Sequence, residues 1–339
     1  MKSVWVPKHG KPEVLELREG EDPRPAPGQV RIRVRASGIN FADIMARQGL
    51  YPDAPPPPMV VGYEVSGVID ALGAGVSERS EGQRVLAMTR FGGYTDTLCV
   101  DAGQTFVMPE KMTFEEAAAI PVAYLTAYHM LFNVGRIRSG DQVLIHQVAG
   151  GVGAATTQLC RSVGGVTTYG TASRRKHDWV RENGCTHPID YHSVDYADEI
   201  RKLTGGRGVH LVLDALGGKD WKKGYSLLRP GGLLVLFGWA NMAKFGKRRM
   251  THVAGQLANL PWWTPMTLMN ENKGVAGVNM GHLWNERELT REALTAVLAL
   301  YERGEVAPRV DRTFRLAHAA EAHAYIEAGQ NVGKVLLTP

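Results

Sequence analysis

The chain has 339 residues, of which 44% are hydrophobic and 22% charged, and its formal net charge is +5. This length suits two domains, and this composition excludes an intrinsically disordered chain. The N-terminus lacks the apolar core of a signal peptide, and no stretch of about 18 residues is free of polar side chains, so we expect a cytoplasmic protein without a membrane-spanning helix.

The first 120 residues predict short β-strands separated by clusters of Gly, Pro and Asp. In "VRIRVRA", Val30, Ile32 and Val34 alternate with arginines, which is typical of a strand with one buried face. The proline-rich segment "PDAPPPPMVVG" is expected to be an extended surface loop. A helix follows, with Thr113 as N-cap and Glu116 completing a capping box. We place a domain boundary near residue 122.

After this boundary, continuous apolar strands alternate with amphipathic helices. The predicted strands begin at "QVLIHQ" and end at "GVAGVNM", and helices are expected at 152–163, 175–183, 196–203 and 219–227. Such alternation predicts an α/β domain with a doubly wound parallel sheet covered on both faces. The terminal strand "GKVLLT" is expected to rejoin the first domain.

A glycine-rich turn joins the first of these strands to its helix in "QVLIHQVAGGVGAATTQ". Gly150 and Gly153 match two positions of the G-x-G-x-x-G pattern, and Val148 stands at the first. Without β-carbons, the backbone and the helix N-terminus could hold a diphosphate. The alternative is a purely structural turn that lets the helix pack closely.

The end of the next strand, "YGTASRRK", distinguishes between the two nicotinamide dinucleotides. An NAD site needs a carboxylate there for the ribose diol, and none is present. Ser173, Arg174, Arg175 and Lys176 instead offer donors for a 2′-phosphate. The sequence therefore predicts NADPH as the cofactor, although a basic run of this kind is also common on solvated surfaces.

The whole chain resembles the medium-chain dehydrogenase/reductases, in which a Rossmann domain interrupts a GroES-like β-rich domain. "SGINFADIMARQGLYP", "AGGVG" and "GTAS" are similar to the zinc-independent quinone oxidoreductases. "MTFEEAAA", "NGCTHPIDYHSVDYADEI" and "NVGKVLL" are closest to the vesicle amine transport protein homologues. The resemblance implies a GroES-like catalytic domain over 1–122 and 284–339, and an NADPH-binding Rossmann domain over 123–283.

The zinc ligands of related alcohol dehydrogenases are missing. Asn40 and Tyr63 stand where the resemblance would place Cys and His, and "VAYLTAY" offers no thiol or carboxylate. A catalytic zinc needs three protein ligands, so we predict that no metal is bound. Asp43, Glu64 and His129 do not match a ligand pattern. Without a Lewis acid, quinones and α,β-unsaturated carbonyls are the natural hydride acceptors.

The resemblance places Asn40, Tyr51 and Thr126 beside the nicotinamide, and Tyr63 is added to these catalytic residues because its hydroxyl could stabilise a developing oxyanion. Other readings stay open: Asn40 could cap a loop, Tyr51 could pack a proline turn, and Thr126 could lie on a helix surface. The predicted cofactor-binding residues are Asn40, Thr126, Ala149, Gly150, Gly151, Val152, Gly153, Thr171, Ser173, Lys176, Tyr191, Leu216, Phe237, Gly238 and Lys334.

Residues 241–272 support a second hypothesis, a lipid-binding or transfer protein at membrane surfaces. Lys244, Lys247, Arg248 and Arg249 could meet anionic lipid, and the apolar group of Trp262, Trp263, Leu268 and Met269 could insert at the headgroups. Alternatively, this apolar group lines a substrate cleft or a dimer interface. We expect a homodimer formed through the edge strand "GVAGVNMG", and no nucleic-acid partner.

Overall fold

The computed structural model describes residues 1–242, 255 and 258–339. The chain divides into two compact units, the first comprising Met1–Leu125 and Gly281–Pro339 and the second Thr126–Met280. The division therefore falls after residue 125 rather than 122, and before residue 281 rather than 284.

Strands and helices are numbered in chain order. The strands are β1 (Lys2–Val6), β2 (Glu16–Glu19), β3 (Gln29–Gly38), β4 (Met59–Val60), β5 (Glu64–Leu72), β6 (Arg84–Met88), β7 (Thr97–Asp101), β8 (Thr105–Val107), β9 (Gln142–Ile145), β10 (Thr167–Thr171), β11 (His187–Ile189), β12 (Val209–Asp214), β13 (Leu228–Leu236), β14 (Gly274–Gly277), β15 (Val310–Arg315) and β16 (Lys334–Thr338). The helices are α1 (Phe41–Gln48), α2 (Phe114–Ala118), α3 (Pro121–Tyr128), α4 (Gly151–Val163), α5 (His177–Glu182), α6 (Tyr196–Leu203), α7 (Lys219–Ser226), α8 (Pro265–Glu271), α9 (Arg287–Glu302) and α10 (Ala319–Glu327).

The first unit is rich in β-structure, as predicted. Its main sheet has the order β15-β16-β3-β5-β6-β8, with β7 also paired to β3. Val30, Ile32 and Val34 are at most 3% exposed, so the predicted buried face of β3 is confirmed. The arginines between them lie on the other face, where Asp70 accepts hydrogen bonds from Arg31 and Arg33.

Of two other predictions for the first unit, the capping box is confirmed and the surface loop is wrong in part. The capping box of α2 is present: the Glu116 N–H donates to Thr113 Oγ1 (3.1 Å), and the Thr113 N–H donates to Glu116 Oε2 (2.9 Å). The proline-rich segment is not a surface loop throughout. It ends in β4, which pairs with β1, and Met59 is 4% exposed because it packs into the core.

The described residues of the second unit form a parallel six-stranded sheet in the order β11-β10-β9-β12-β13-β14. The predicted doubly wound α/β architecture is confirmed. From β9 the chain adds β10 and β11 on one side of the sheet, and from β12 it adds β13 and β14 on the other. The crevice between β9 and β12 is therefore the topological switch point.

None of the helices that can be described combines the length and the apolar character needed to cross a membrane.

Candidate functional site

The loops after β9, β10, β11 and β12 lie at one edge of the second unit's sheet. Ile145 at the end of β9 is in register with Gly170 of β10 and Leu213 of β12, and Thr171 is in register with Ile189 of β11. In parallel sheets of this type, ligands bind outside the carboxyl ends of the strands at the switch point. The candidate cofactor site is therefore centred on the loop after β9.

The predicted glycine loop begins α4 at this point, with Gly150 as its N-cap. A β-carbon on Gly153 would lie 2.5 Å from Val148 Cα and 2.6 Å from the Gln147 carbonyl oxygen, so only glycine lets the helix pack this closely on the turn. The first N–H groups of a helix have no partner within it and attract anions. The backbone of Ala149, Gly150, Gly151, Val152 and Gly153, called the glycine cradle below, could hold a diphosphate here.

Val148, at the missing first glycine position, is accommodated by a glycine on the neighbouring strand. Its side chain is 1% exposed, and its Cγ1 lies 2.6 Å from the point where a β-carbon on Gly170 would be. The turn itself is made by Gln147, which adopts a left-handed φ of 54°. The incomplete motif thus reflects a different packing of the same turn.

The loop after β10 carries the predicted 2′-phosphate residues. Ser173 precedes a 3₁₀ turn at Arg174–Lys176, in which the two arginines are exposed and Lys176 is partly exposed. Tyr191 lies on the neighbouring loop after β11 and is 51% exposed, and the charges of Asp190 and Arg175 both act on its hydroxyl. This corner gathers cations and hydroxyls and contains no carboxylate between Thr171 and Lys176.

The other predicted cofactor residues of this unit lie at the same edge in different roles. Thr171 is 3% exposed, and its hydroxyl contacts His146 and the Gln147 N–H inside the unit. The Leu216 N–H donates to Asp214 Oδ1 (2.6 Å), and the Phe237 N–H donates to the Asp214 carbonyl (3.1 Å). Gly238 allows close approach to Ala215, whose oxygen would be 3.0 Å from an added β-carbon.

Asn40 in the first unit is held by a buried ion pair. Its Nδ2 donates to Glu64 Oε1 (2.8 Å), and its Oδ1 accepts from Lys334 Nζ (2.8 Å). The residue is also at the N-cap position of α1, where its backbone N–H donates to Asp43 Oδ2 (2.7 Å). Since an amide nitrogen has two hydrogens, one donor remains for a ligand.

Lys334, one of the predicted cofactor-binding residues, has a different role in the structure. Lys334 is 5% exposed, and its Nζ donates to Glu64 Oε1 (2.5 Å), Asn40 Oδ1 (2.8 Å) and the Ile39 carbonyl (2.8 Å). An ammonium group has three hydrogens, and all three are used here. Lys334 therefore orients Asn40 and has no hydrogen left for a phosphate.

Tyr51, Tyr63 and Phe91 form an aromatic group in the first unit. The ring centroids of Tyr51 and Tyr63 are 6.2 Å apart with an edge-to-face geometry, and those of Tyr63 and Phe91 are 5.0 Å apart. The Tyr63 hydroxyl is buried and lies within reach of the Tyr51 hydroxyl. Burial raises the pKa of Tyr51 to about 12 and raises the pKa of Tyr63 as well, so both phenols stay protonated and can donate.

Thr126 lies on α3 at the start of the second unit and is 7% exposed, so the reading as a helix-surface residue is wrong. The other three predicted catalytic residues, Asn40, Tyr51 and Tyr63, belong to the first unit.

The residues at the zinc-ligand positions do not fit a catalytic zinc. Asn40 and Tyr63 are neutral donors, and Glu64 accepts from Asn40, from Lys334 and from the Val122 N–H (2.7 Å). Asp43 accepts the Gly62 N–H (2.8 Å) and the Asn40 N–H (2.7 Å). Within the described ranges, no three His, Cys, Asp or Glu side chains cluster as a metal site requires.

Two family models match the chain: the alcohol dehydrogenase GroES-like domain at residues 26–128 and the zinc-binding dehydrogenase domain at 183–337. The synaptic vesicle membrane protein VAT-1 homolog of Rattus norvegicus is 47% identical over 330 residues, covering 96% of this chain and 80% of its own length.

Solved structures agree with these matches. The human VAT-1 homolog-like protein is similar at a TM-score of 0.87 and 34% identity, covering 100% of this chain and 98% of the other. The Escherichia coli quinone oxidoreductase complexed with NADPH is similar at 0.88 and 28%, with both chains covered completely. The chain therefore belongs to the medium-chain dehydrogenase/reductase superfamily, in the family of the VAT-1 homologues.

Proposed function

We propose that this protein is an NADPH-dependent oxidoreductase that transfers hydride to quinones or α,β-unsaturated carbonyl compounds without a metal. The observation that carries the proposal is the glycine cradle at Gly150–Gly153 beside a cationic loop at 173–176 that has no carboxylate. That a similar quinone oxidoreductase was solved with NADPH supports the choice of cofactor.

The backbone of the glycine cradle would hold the diphosphate, since the N-terminus of α4 and its N–H groups favour negative charge. Ser173, Lys176 and Tyr191 would bind the 2′-phosphate from two adjacent loops. Bound NADPH supplies the hydride.

Asn40 and Tyr63 would stabilise the charge that develops on the acceptor. Tyr63 offers a buried O–H beside that of Tyr51, and Asn40 offers its second amide hydrogen. Lys334 and Glu64 fix the Asn40 amide before a substrate arrives, so no reorganisation is needed during the reaction. Because donors replace a Lewis acid, acceptors that already take hydride readily are favoured.

The decisive experiment combines binding with a substrate panel. Dissociation constants for NADPH and NADH are measured first, and NADPH absorbance is then followed with quinones, enones and aldehydes. We expect tighter binding of NADPH and turnover of quinones or enones but not of simple aldehydes. Equal affinity for the two dinucleotides would remove the argument from Ser173 and Lys176.

Metal independence is tested separately. Activity that survives dialysis against a chelator, with less than stoichiometric zinc by elemental analysis, is the expected result. Stoichiometric zinc that restores lost activity would contradict it.

A membrane-surface function is the second candidate, and exposed apolar side chains favour it. Trp262, Met266 and Met269 are 90%, 62% and 71% exposed. Trp263 and Leu268 instead pack against the core of the second unit, so the predicted apolar group is divided. Lys244, Lys247, Arg248 and Arg249 lie outside the described residues. Sedimentation with anionic liposomes tests this function, and an unchanged supernatant would exclude it.

We also propose a homodimer formed through β14. This strand is the edge of the second unit's described sheet and pairs only with β13 among the strands that can be described. An edge strand that carries apolar residues favours pairing with another strand. Light scattering at micromolar concentration should give twice the monomer mass, and a monomer would contradict the proposal.

A further inference from the structure

Thr171, His146 and Asp214 lie side by side at the strand ends beneath the glycine cradle. Thr171 and Asp214 end β10 and β12, and His146 directly follows β9 between them. All three are at most 3% exposed. A row of buried polar side chains across three neighbouring strands needs hydrogen-bond partners to be stable.

The row contacts the loops on both sides. His146 Nδ1 lies 3.1 Å from Thr171 Oγ1, which also accepts the Gln147 N–H at 3.2 Å. On the other side, Asp214 Oδ1 accepts the N–H groups of Leu216 (2.6 Å) and Gly217 (3.0 Å).

The remaining polar atoms of His146 and Asp214 face each other. His146 Nε2 and Asp214 Oδ2 are 3.8 Å apart, both are buried, and neither has a hydrogen-bond partner. Burial lowers the pKa of His146, so the ring is neutral and carries one proton. Burial raises the pKa of Asp214, and the N–H groups of Leu216 and Gly217 oppose this shift by holding the carboxyl in its ionised form. An ionised carboxyl favours the histidine proton on Nε2, because a lone pair at Nε2 would face another lone pair.

This tautomer determines the direction of the remaining bonds. With the proton on Nε2, Nδ1 accepts from the Thr171 hydroxyl, and a lone pair of Oγ1 stays directed at the Gln147 N–H. Gln147 has the unfavourable left-handed φ of 54° that turns the chain into the cradle. The hydroxyl of Thr171 thus stabilises the turn on which the cradle depends.

We propose that His146 and Asp214 are positioning residues for the dinucleotide: together they hold the loops after β9 and β12 in the arrangement that binds it. The inference rests on the proposed function and adds two residues to it. Neither residue touches the cofactor; His146 acts through Thr171, and Asp214 acts through Leu216 and Gly217.

Two variants test the proposal through NADPH binding. In Asp214→Asn, the N–H groups of Leu216 and Gly217 hold the amide oxygen, so the amide nitrogen faces Nε2 and reverses the tautomer. Thr171→Val removes the hydroxyl. We expect each variant to raise the NADPH dissociation constant about tenfold. The maximal rate at saturating NADPH should change much less.

Matched controls separate positioning from general destabilisation. Thr171→Ser should retain wild-type affinity because it keeps the hydroxyl. Thr168→Val removes another buried hydroxyl of β10, one that pairs with Thr186 away from the cradle, and should leave the NADPH affinity unchanged. Affinities within about twofold of wild type in both Asp214→Asn and Thr171→Val would overturn the proposal.

A measurement on the wild-type protein tests the proposal even if the variants do not fold. Nitrogen NMR of histidine-labelled protein, with His146 assigned through its contact to the Tyr196 ring at 4.8 Å, should show a neutral ring protonated on Nε2. A proton on Nδ1, or a charged ring, would contradict the proposal. If the wild-type protein fails to bind NADPH, the proposed function is wrong, and the tautomer is still decided by this spectrum.

Discussion

Lys334 and Glu64 form an ion pair inside the first unit, with 2.5 Å between the lysine Nζ and the glutamate Oε1. Their side chains are 5% and 0% exposed. Antiparallel pairing of β16 with β3 puts Leu336 opposite Gly38, so the same register brings Lys334 to Asn40 at the start of α1. The pair therefore joins the end of the chain to a predicted catalytic residue.

Replacing Lys334 by methionine should destabilise the protein strongly. The change leaves Glu64 buried without its counter-charge, which typically costs about 3–5 kcal/mol. Urea denaturation measures the loss. The control is Lys2→Met, whose partner Glu19 is 3.9 Å away and exposed, and this variant should lose about 1 kcal/mol or less. A Lys334→Met protein as stable as the control would show that the pair contributes little.

Asp43 should make stability depend on pH. Burial raises the pKa of this carboxyl from 3.8 to about 7, although N–H groups of Asn40 and Gly62 oppose the shift. Because the folded pKa is the higher one, the contribution to stability is complete below pH 3.8 and is lost as pH rises toward 7. The loss is about 1.4 kcal/mol for each pH unit between the two values.

The measurement compares wild type with Asp43→Asn by urea denaturation at several pH values. The unfolding free energy of wild type should fall relative to that of Asp43→Asn from pH 4 to 7, and the difference should stay constant above pH 7. A difference that moves in favour of wild type over this range would mean that the carboxyl is ionised in the fold.

Tyr63→Phe should lower the rate of turnover rather than cofactor binding. Removing one donor to a developing oxyanion typically lowers kcat by about a hundredfold. Since the pKa values of Tyr51 and Tyr63 are both raised, neither phenol should lose its proton below about pH 9, and no loss of kcat below that pH should come from these two groups. The control Tyr325→Phe loses a hydroxyl bonded to Asp311 and should keep full activity. A Tyr63→Phe enzyme with unchanged kcat would exclude this hydroxyl from the reaction.

Changes at Ser173 and Lys176 should alter the choice of dinucleotide. Ser173→Asp with Lys176→Ala places a carboxylate near the ribose and removes a cation, so the preference for NADPH over NADH should fall about a hundredfold. Fluorescence titration with both dinucleotides measures it. The control is Lys202→Ala, which removes an exposed cation of α6 whose side chain is 77% accessible. An equal effect in the control would indicate a general electrostatic attraction.

Much of the fold followed from local patterns. Alternating side chains predicted β3, and apolar runs with intervening helices predicted the parallel sheet of the second unit. These patterns suffice because each strand or helix buries its own apolar face. The proline-rich segment was the exception, because its last residues pair with β1, which lies far away in the chain.

The candidate site was predicted less completely. The glycine cradle follows from consecutive residues, and its backbone geometry is local. Lys334 was predicted to bind the cofactor, whereas its partner in the structure, Glu64, is 270 residues away in the chain. His146 and Asp214 carried no motif that identified them, and only the register of β9 with β12 brings them together.

The sequence alone determined the order of strands and helices, the glycine-rich turn at Gly150–Gly153, and the lack of thiol and imidazole at the positions where related dehydrogenases bind zinc. These properties reside in residue types and short spacings. Only the tertiary structure decided which buried polar groups pair with one another, because such pairs form where strands distant in the chain become neighbours. For that reason Lys334 proved to be a support for Asn40, and Thr171 proved to be part of a row with His146 and Asp214.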